Sequence, residues 1–260
     1  MANSTGDKQP KWADGPYPLI TTPRAKLNRP NPEPPAIQAA TSMALLHNVF
    51  IRSINSVLLQ APHIDASNDD TLDGFLTYIS ALTYTIHEHH HSEEVFVFPL
   101  IESMTGVPGL MQRNVAEHQT FDKALLEFES WASNVQQRKE KWSSERCVEL
   151  LKGFAGPLLD HLHAEIGTMQ DLGQYEKFDW AAYNRAVEKH AVATADKVKE
   201  VPFIMINDDC TFENGIHHDF PPLPMIARLM FRWIFMPRLK KAWVFSPSDA
   251  SGRPRPLKYI

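Results

Sequence analysis

The sequence predicts an all-α protein centred on an up-down-up-down four-helix bundle. Two observations carry that expectation. Between residues 37 and 173, apolar residues recur at alternating steps of three and four along four long stretches joined by short connectors. Each of the four apolar stripes is also interrupted by a histidine, as if the stretches were walls of one shared interior.

The elements follow in chain order. Residues 1–36 hold Pro10, Pro16, Pro18, Pro23, Pro30, Pro32, Pro34 and Pro35 and read as a Pro-rich arm without regular structure. The arm is either a free tail or pinned to a surface by Trp12, Tyr17, Leu19 and Ile20. The first helix is expected over 37–61, ending before Pro62, and the second over 71–103, with Thr71 as its cap. Gly106, Pro108 and Gly109 break the chain before a third helix over 109–139. A fourth runs over 144–173, opened by Ser143–Ser144 and stopped by Gly173. These four form the bundle domain, 37–173. Residues 174–260 are expected to pack on it as a covering extension. The extension holds a fifth helix over 179–200, an acidic irregular stretch, and an apolar helix over 224–236 after Pro221, Pro222 and Pro224.

Composition narrows the function classes. A hydrophobic fraction of 43% in 260 residues argues against global disorder. A net charge of −5 with no basic block argues against a nucleic-acid partner. Cys147 and Cys210 are too few and too distant for a disulfide framework or a thiolate metal site, which fits a reducing compartment. The N-terminus lacks the apolar core of a secretory signal. No stretch is read as reaching the roughly 18–20 apolar residues of a membrane span. A cytoplasmic protein without a membrane partner is therefore expected.

The histidines carry the chemistry. Twelve are present, and four fall within residues 87–91. Helical register sorts them. On the second helix one face reads Phe75, Ile79, Leu82, Ile86, His89, Glu93, Phe96, Leu100. The register through His90 (Leu76, Thr83, His87, His90, Glu94, Val97) is more mixed, so the first is taken as inward. The fourth helix reads Cys147, Leu151, Phe154, Leu158, His161, Glu165, Thr168, Leu172. The first gives Ala40, Met43, His47, Phe50, Ile54, Val57, Ala61. The third gives Met111, Val115, His118, then Phe121 or Asp122, then Leu125 and Phe128. At 1.5 Å per residue the four histidines lie roughly 14–21 Å from the same end of the bundle, which makes one layer.

A lone histidine on an apolar face is usually a satisfied core residue. Four of them with two glutamates change the balance. Burying Glu93 and Glu165 is costly unless something compensates, and no Lys or Arg sits in any of the four stripes. A multivalent cation is the simplest compensation. The donors are imidazole and carboxylate without sulfur, which suits iron or manganese, with zinc less expected. The set is pseudo-twofold: His47 with His89–Glu93, and His118 with His161–Glu165. Two metal ions bridged by Glu93 and Glu165 would each keep open positions for water, hydroxide, dioxygen or peroxide.

His47, the His89–Glu93 pair running on through Pro99, Glu117–His118 and His161–Glu165 resemble the hemerythrin-like family, which carries a His/His/Glu (HHE) cation-binding bundle. The resemblance covers about residues 40–172. It implies a pair of iron ions joined by an oxo or hydroxo bridge, with dioxygen, peroxide or nitric oxide as partners. The stretch from Val201 onward, with Thr211–Phe212–Glu213, Phe220–Pro221–Pro222 and Trp243 to Pro247, is similar to the extension of fungal members. One position departs. Oxygen-carrying members have a second histidine four residues after the one matching His118, and Asp122 stands there. Asp122 is a third carboxylate ligand, an acceptor behind the ligands, or solvent-facing with Phe121 inward. The lost imidazole points to a centre that activates dioxygen or peroxide, in an oxidoreductase acting on a small organic substrate. The alternative is a protein that binds or senses dioxygen, nitric oxide or iron without turnover. No catalytic residue can be assigned.

The remaining candidates have plainer readings. His87, His90, His91 and Glu94 flank the ligands, either orienting them by hydrogen bonds or simply solvated, and His90 and Glu94 are, like Asp122, candidates for an extra ligand. His190, His217 and His218 read as surface residues. Tyr78 and Tyr84 read as aromatic packing. Arg228, Arg232 and Trp233 read as a helix packed on the bundle rather than a membrane-surface face.

Overall fold

The computed structural model describes residues 12–27 and 32–260. Among these residues the chain is helical, with one isolated β-bridge between Ser248 and Pro254. The arm carries a short helix α1 (Pro23–Lys26), and the bundle begins with α2 (Pro35–Gln60). α3 (Asp69–Ser92) passes without a break through a π-helical turn, Glu93–Val97, into α4 (Phe98–Thr105). α5 (Gln112–His118) and α6 (Asp122–Gln136) form the third wall, and α7 (Ser144–Asp171) the fourth. α2 packs on α7, α7 on α6, α6 on α3 and α3 on α2, which closes the bundle.

Local chemistry sets these boundaries. Ser143 caps α7, its Oγ accepting the Arg146 N–H at 3.1 Å. Pro157 sits mid-helix on the exposed side of α7. α3 is capped by Asn68, whose Oδ1 accepts the Thr71 N–H at 3.0 Å, so Thr71 is the capped residue and not the cap. Gly106 ends α4 in the left-handed region at φ 71°.

Two walls depart from a single straight helix. The expected third helix is two helices, because the chain turns at Gln119–Phe121, where the Phe121 N–H donates to the His118 carbonyl. The second wall gains one residue in the π turn. Beyond Glu93 the buried residues are Val97, Phe98 and Ile101, while Phe96 and Leu100, expected inward, are only half-buried. α2 and the turn after it, Pro35–His63, are apolar and long enough to cross a membrane, against the sequence expectation. Of its 18-residue apolar window 72% is buried within the protein, so bundle packing accounts for that composition.

The described part of the arm is pinned down. Asn55 accepts the Tyr17 N–H and donates to the carbonyls of Ala13 and Tyr17, and Asn48 pairs with both backbone groups of Ile20. Ile20 is buried, whereas Trp12 stays exposed and is no anchor. Pro10 and Pro30 lie outside the described residues.

The extension contains α8 (Trp180–Thr194), α9 (Glu200–Asn207), the four-residue α10 (Phe212–Gly215) and α11 (Met225–Met230). The fifth helix expected over 179–200 therefore stops at Thr194, before the Asp196 turn. Tyr78 is fully buried in packing, donating to Asn207, and Tyr84 lies under the Lys199 ammonium at 4.6 Å. Ser56 and Gln60 both donate to the Phe245 carbonyl, which fastens the chain end to α2. His217 is buried and not a surface residue. The α10 turn folds Glu213 over the arm, where it accepts from Thr22 N–H and contacts the His217 ring at 2.7 Å. His218 is exposed, and His190 is half-buried. α11 does not pack on the bundle as expected: Met225 and Ile226 are each 75% exposed and Trp233 70%. The inner side of this segment is spent on Phe231, Met236 and Leu239, while Met225, Ile226, Leu229, Met230, Trp233 and Ile234 have nothing described to cover them.

Candidate metal centre

The four walls bring His47, His89, Glu93, His118, His161 and Glu165 to one level of the interior, with His90 among them. Their ligand-type atoms form two groups, each within 4.8 Å. One is His47, His89, Glu93 and Glu165. The other is His90, Glu93, His118 and His161.

Hydrogen bonds behind the rings fix which nitrogen faces inward. His47 Nδ1 lies 2.8 Å from the Leu162 carbonyl, which can only accept, so Nδ1 carries the proton and Nε2 is free to coordinate. His118 Nδ1 is 2.7 Å from Glu94 Oε1, and His161 Nδ1 is 3.2 Å from Glu117 Oε2. The Nε2 atoms then converge: His47 and His89 approach to 3.2 Å, His118 and His161 to 3.0 Å.

The carboxylates span the two groups. Glu93 Oε1 is 3.3 Å from His89 Nε2, and its Oε2 is 3.6 Å from His118 Nε2. Glu165 Oε2 lies 3.4 Å from His47 Nε2 and 3.8 Å from His161 Nε2. Both glutamates thus address both sides. Burial, reinforced by Glu165 and Glu94, pushes the Glu93 carboxyl well above its ordinary range. Burial and the neighbouring imidazoles hold His89 and His90 well below theirs, so both rings are neutral, the form that binds metal.

The residues fit a pair of cations. Both oxygens of Glu93, both of Glu165 and both ring nitrogens of His90 are buried without a hydrogen-bond partner among the described residues. Buried polar atoms in native proteins are normally satisfied. Six orphans at one point, all of ligand type, are what a metal site needs. Nitrogen and oxygen donors without sulfur match iron or manganese.

His90, expected either behind the ligands or as an extra one, lies in the second donor group. It is 5% exposed, and its ring centroid lies 4.3 Å from that of His118. Its signal was present as a seven-residue repeat, Leu76, Thr83, His90, Val97, every member of which is buried. Asp122 is half-buried, belongs to neither donor group, and has its carboxyl pushed up by burial. Phe121 takes the inward place instead, fully buried against the rings of His90 and His161. The imidazole missing at Asp122 is therefore offset by His90, and a deficit of nitrogen donors no longer argues for a reactive centre. Glu94 takes the orienting role, while His87 contacts Glu129 at 3.3 Å and His91 is exposed.

The extension reaches the centre through α8. Tyr183 is buried close enough that Glu93 and Glu165 add to burial in raising its hydroxyl. His190 stacks on Phe96, 4.1 Å between centroids, over the π turn. Tyr183 comes from outside the four walls, so the apolar registers of the bundle carry no sign of it.

A helical bundle lined by this donor set defines a cation-binding protein, and the comparisons agree. The family model described as the hemerythrin HHE cation binding domain matches residues 40–172, and the chain belongs to that family. Along its length it is similar to the "Dimeric xanthone biosynthesis cluster protein R11" of Cryptosporiopsis sp. (strain 8999). The two are 34% identical over 261 residues, covering 99% of this chain and 97% of that relative. No solved structure matches the chain.

Proposed function

We propose that this chain holds two iron ions and uses them to activate dioxygen or peroxide in the oxidation of a small organic substrate. The observation that carries the proposal is the sharing of Glu93 between two donor groups whose buried oxygens and nitrogens lack other partners. His47, His89 and Glu165 would hold one ion, His90, His118 and His161 the other, with Glu93 common to both and Glu165 also in reach of His161. Bound iron would supply the electrons that dioxygen or peroxide takes up. The protein's part is to keep the imidazoles neutral and oriented and to exclude water. Burial and the neighbouring imidazoles keep His89 and His90 neutral, Leu162, Glu94 and Glu117 orient His47, His118 and His161, and Phe50, Phe98 and Phe121 exclude water. A small-molecule substrate is supported by the relative, whose name ties it to biosynthesis of a dimeric xanthone.

His90 also favours a second reading, dioxygen binding without turnover, since it returns the imidazole count to five. One series of measurements separates the readings. Metal content and the optical spectrum are taken on protein purified in air and then reduced. Two irons per chain, with near-ultraviolet absorption lost on reduction, are expected. Oxygen uptake by the reduced protein should then rise when phenolic substrates are supplied. A bound form that gives its dioxygen back under vacuum selects the second reading, and absence of iron removes both.

A further inference from the structure

We propose that the segment 221–241 is a docking face for an anionic lipid surface. The chain carries a net charge of −5, yet this stretch holds no Asp or Glu and five basic residues: Arg228, Arg232, Arg238, Lys240 and Lys241. Its fold turns the apolar residues outward. α11 runs on through a π-helical turn, Phe231–Phe235, and Ile226, Leu229, Met230, Trp233 and Ile234 form an exposed ridge along it. Soluble chains rarely leave such a continuous apolar surface without a use.

The helix is mounted rigidly with that ridge facing away from the protein. The Arg228 guanidinium donates to the carbonyls of Asp219, Pro221 and Leu223, which locks the first turn to the preceding loop. Arg232, Arg238 and Lys240 are exposed beside the ridge and pair with no described carboxylate. A cavity of about 360 Å³ opens at the foot of the helix between Arg232, Met236, Lys240, Trp243 and Arg255, with Asp249 the one acidic residue on its wall. Apolar side chains with a tryptophan, flanked by cations, are the composition of a helix that lies in a lipid interface. Anionic headgroups would meet Arg232, Arg238 and Lys240 while the ridge enters the acyl boundary. A second copy of the chain fits less well, because a twofold contact through this ridge brings those same cations together.

Vesicle flotation of the full-length, metal-loaded protein tests the proposal. The protein should float with phosphatidylcholine vesicles containing phosphatidylserine, stay behind with phosphatidylcholine alone, and be released by added salt. Removing two cations in Arg232→Gln/Lys240→Gln should weaken binding about 25-fold, at about fivefold per basic residue near an anionic leaflet. Ile226→Asp/Trp233→Asp should abolish it while circular dichroism and metal content stay unchanged, since both side chains are exposed. Equal failure to float with either vesicle overturns the proposal. So does a dimer in sedimentation equilibrium that Ile226→Asp/Trp233→Asp splits, which would make the ridge a contact between copies. Neither outcome bears on the metal centre.

Discussion

Glu94 and Glu117 stand outside both donor groups, yet each holds a ring in place. Glu94 meets His118 Nδ1 at 2.7 Å while staying partly exposed, so removing it opens no cavity. Glu94→Ala should therefore lower iron affinity about 10–100-fold without unfolding the protein. Anaerobic iron titration reads this, and an unchanged affinity would mean that the bond orients nothing. Away from the centre, Asp208 is 2% exposed, and burial pushes its carboxyl from 3.8 up to about 7, with Arg52 pulling it back. Folding thus favours the protonated form. The stability it gives is complete below pH 3.8 and is lost as pH rises through about 7. The loss is on the order of 4 kcal/mol at most. Urea midpoints should fall between pH 5 and pH 8, and Asp208→Asn should flatten that fall. A slope unaffected by the substitution would place the titration elsewhere.

At the scale of elements, contact between the bundle and its extension depends on a missing side chain. A Cβ on Gly74 of α3 would stand 2.7 Å from the Lys241 carbonyl oxygen, a backbone atom that cannot swing aside. Gly74→Ala should cost about 1–3 kcal/mol. It should also expose the chain after Lys241 to limited proteolysis before the bundle itself is cut, and simultaneous cleavage of both would count against the contact. The same scale explains what could be read from sequence. α7 is one unbroken helix despite Pro157, and seven of the eight residues on its expected inner face are buried, Thr168 alone being half-buried. α3 was legible as far as Glu93. Beyond it a fixed 3.6-residue period names Phe96 and Leu100, and the π turn delivers Val97 and Ile101 instead. His90 stood only as a candidate extra ligand for a related reason: single-face counting admits one residue of a neighbouring pair, and this interior takes both His89 and His90. The break after His118 likewise decided between Phe121 and Asp122, which no periodicity could do. Tyr183 required knowing where α8 lies.

For the whole molecule, the donor layer sets how the bundle's stability responds to metal. α2, α3 and α5 each supply histidine donors, α7 supplies His161 and Glu165, and the π turn supplies Glu93, so a cation pair bound there would tie all four walls at one level. Without cations, Glu93 is a buried carboxyl whose two oxygens have no partner among the described residues and whose charge burial opposes, whereas Glu165, though buried, is held below its ordinary range by His47 and His161. The two states should therefore respond in opposite directions to neutralising Glu93. Iron that binds only the folded chain stabilises it by about 4 kcal/mol at a thousandfold excess over its dissociation constant. For a chain of this size that is roughly 8–16 °C in Tm. Glu93→Gln should melt higher than the wild type in the presence of a chelator, because burial opposes the Glu93 charge. With iron it should melt lower, because the common ligand is gone. Scanning calorimetry of both proteins with and without iron reads the crossing. If the substituted protein melts lower under both conditions, Glu93 is a structural residue satisfied in some other way, and the metal centre loses its energetic basis.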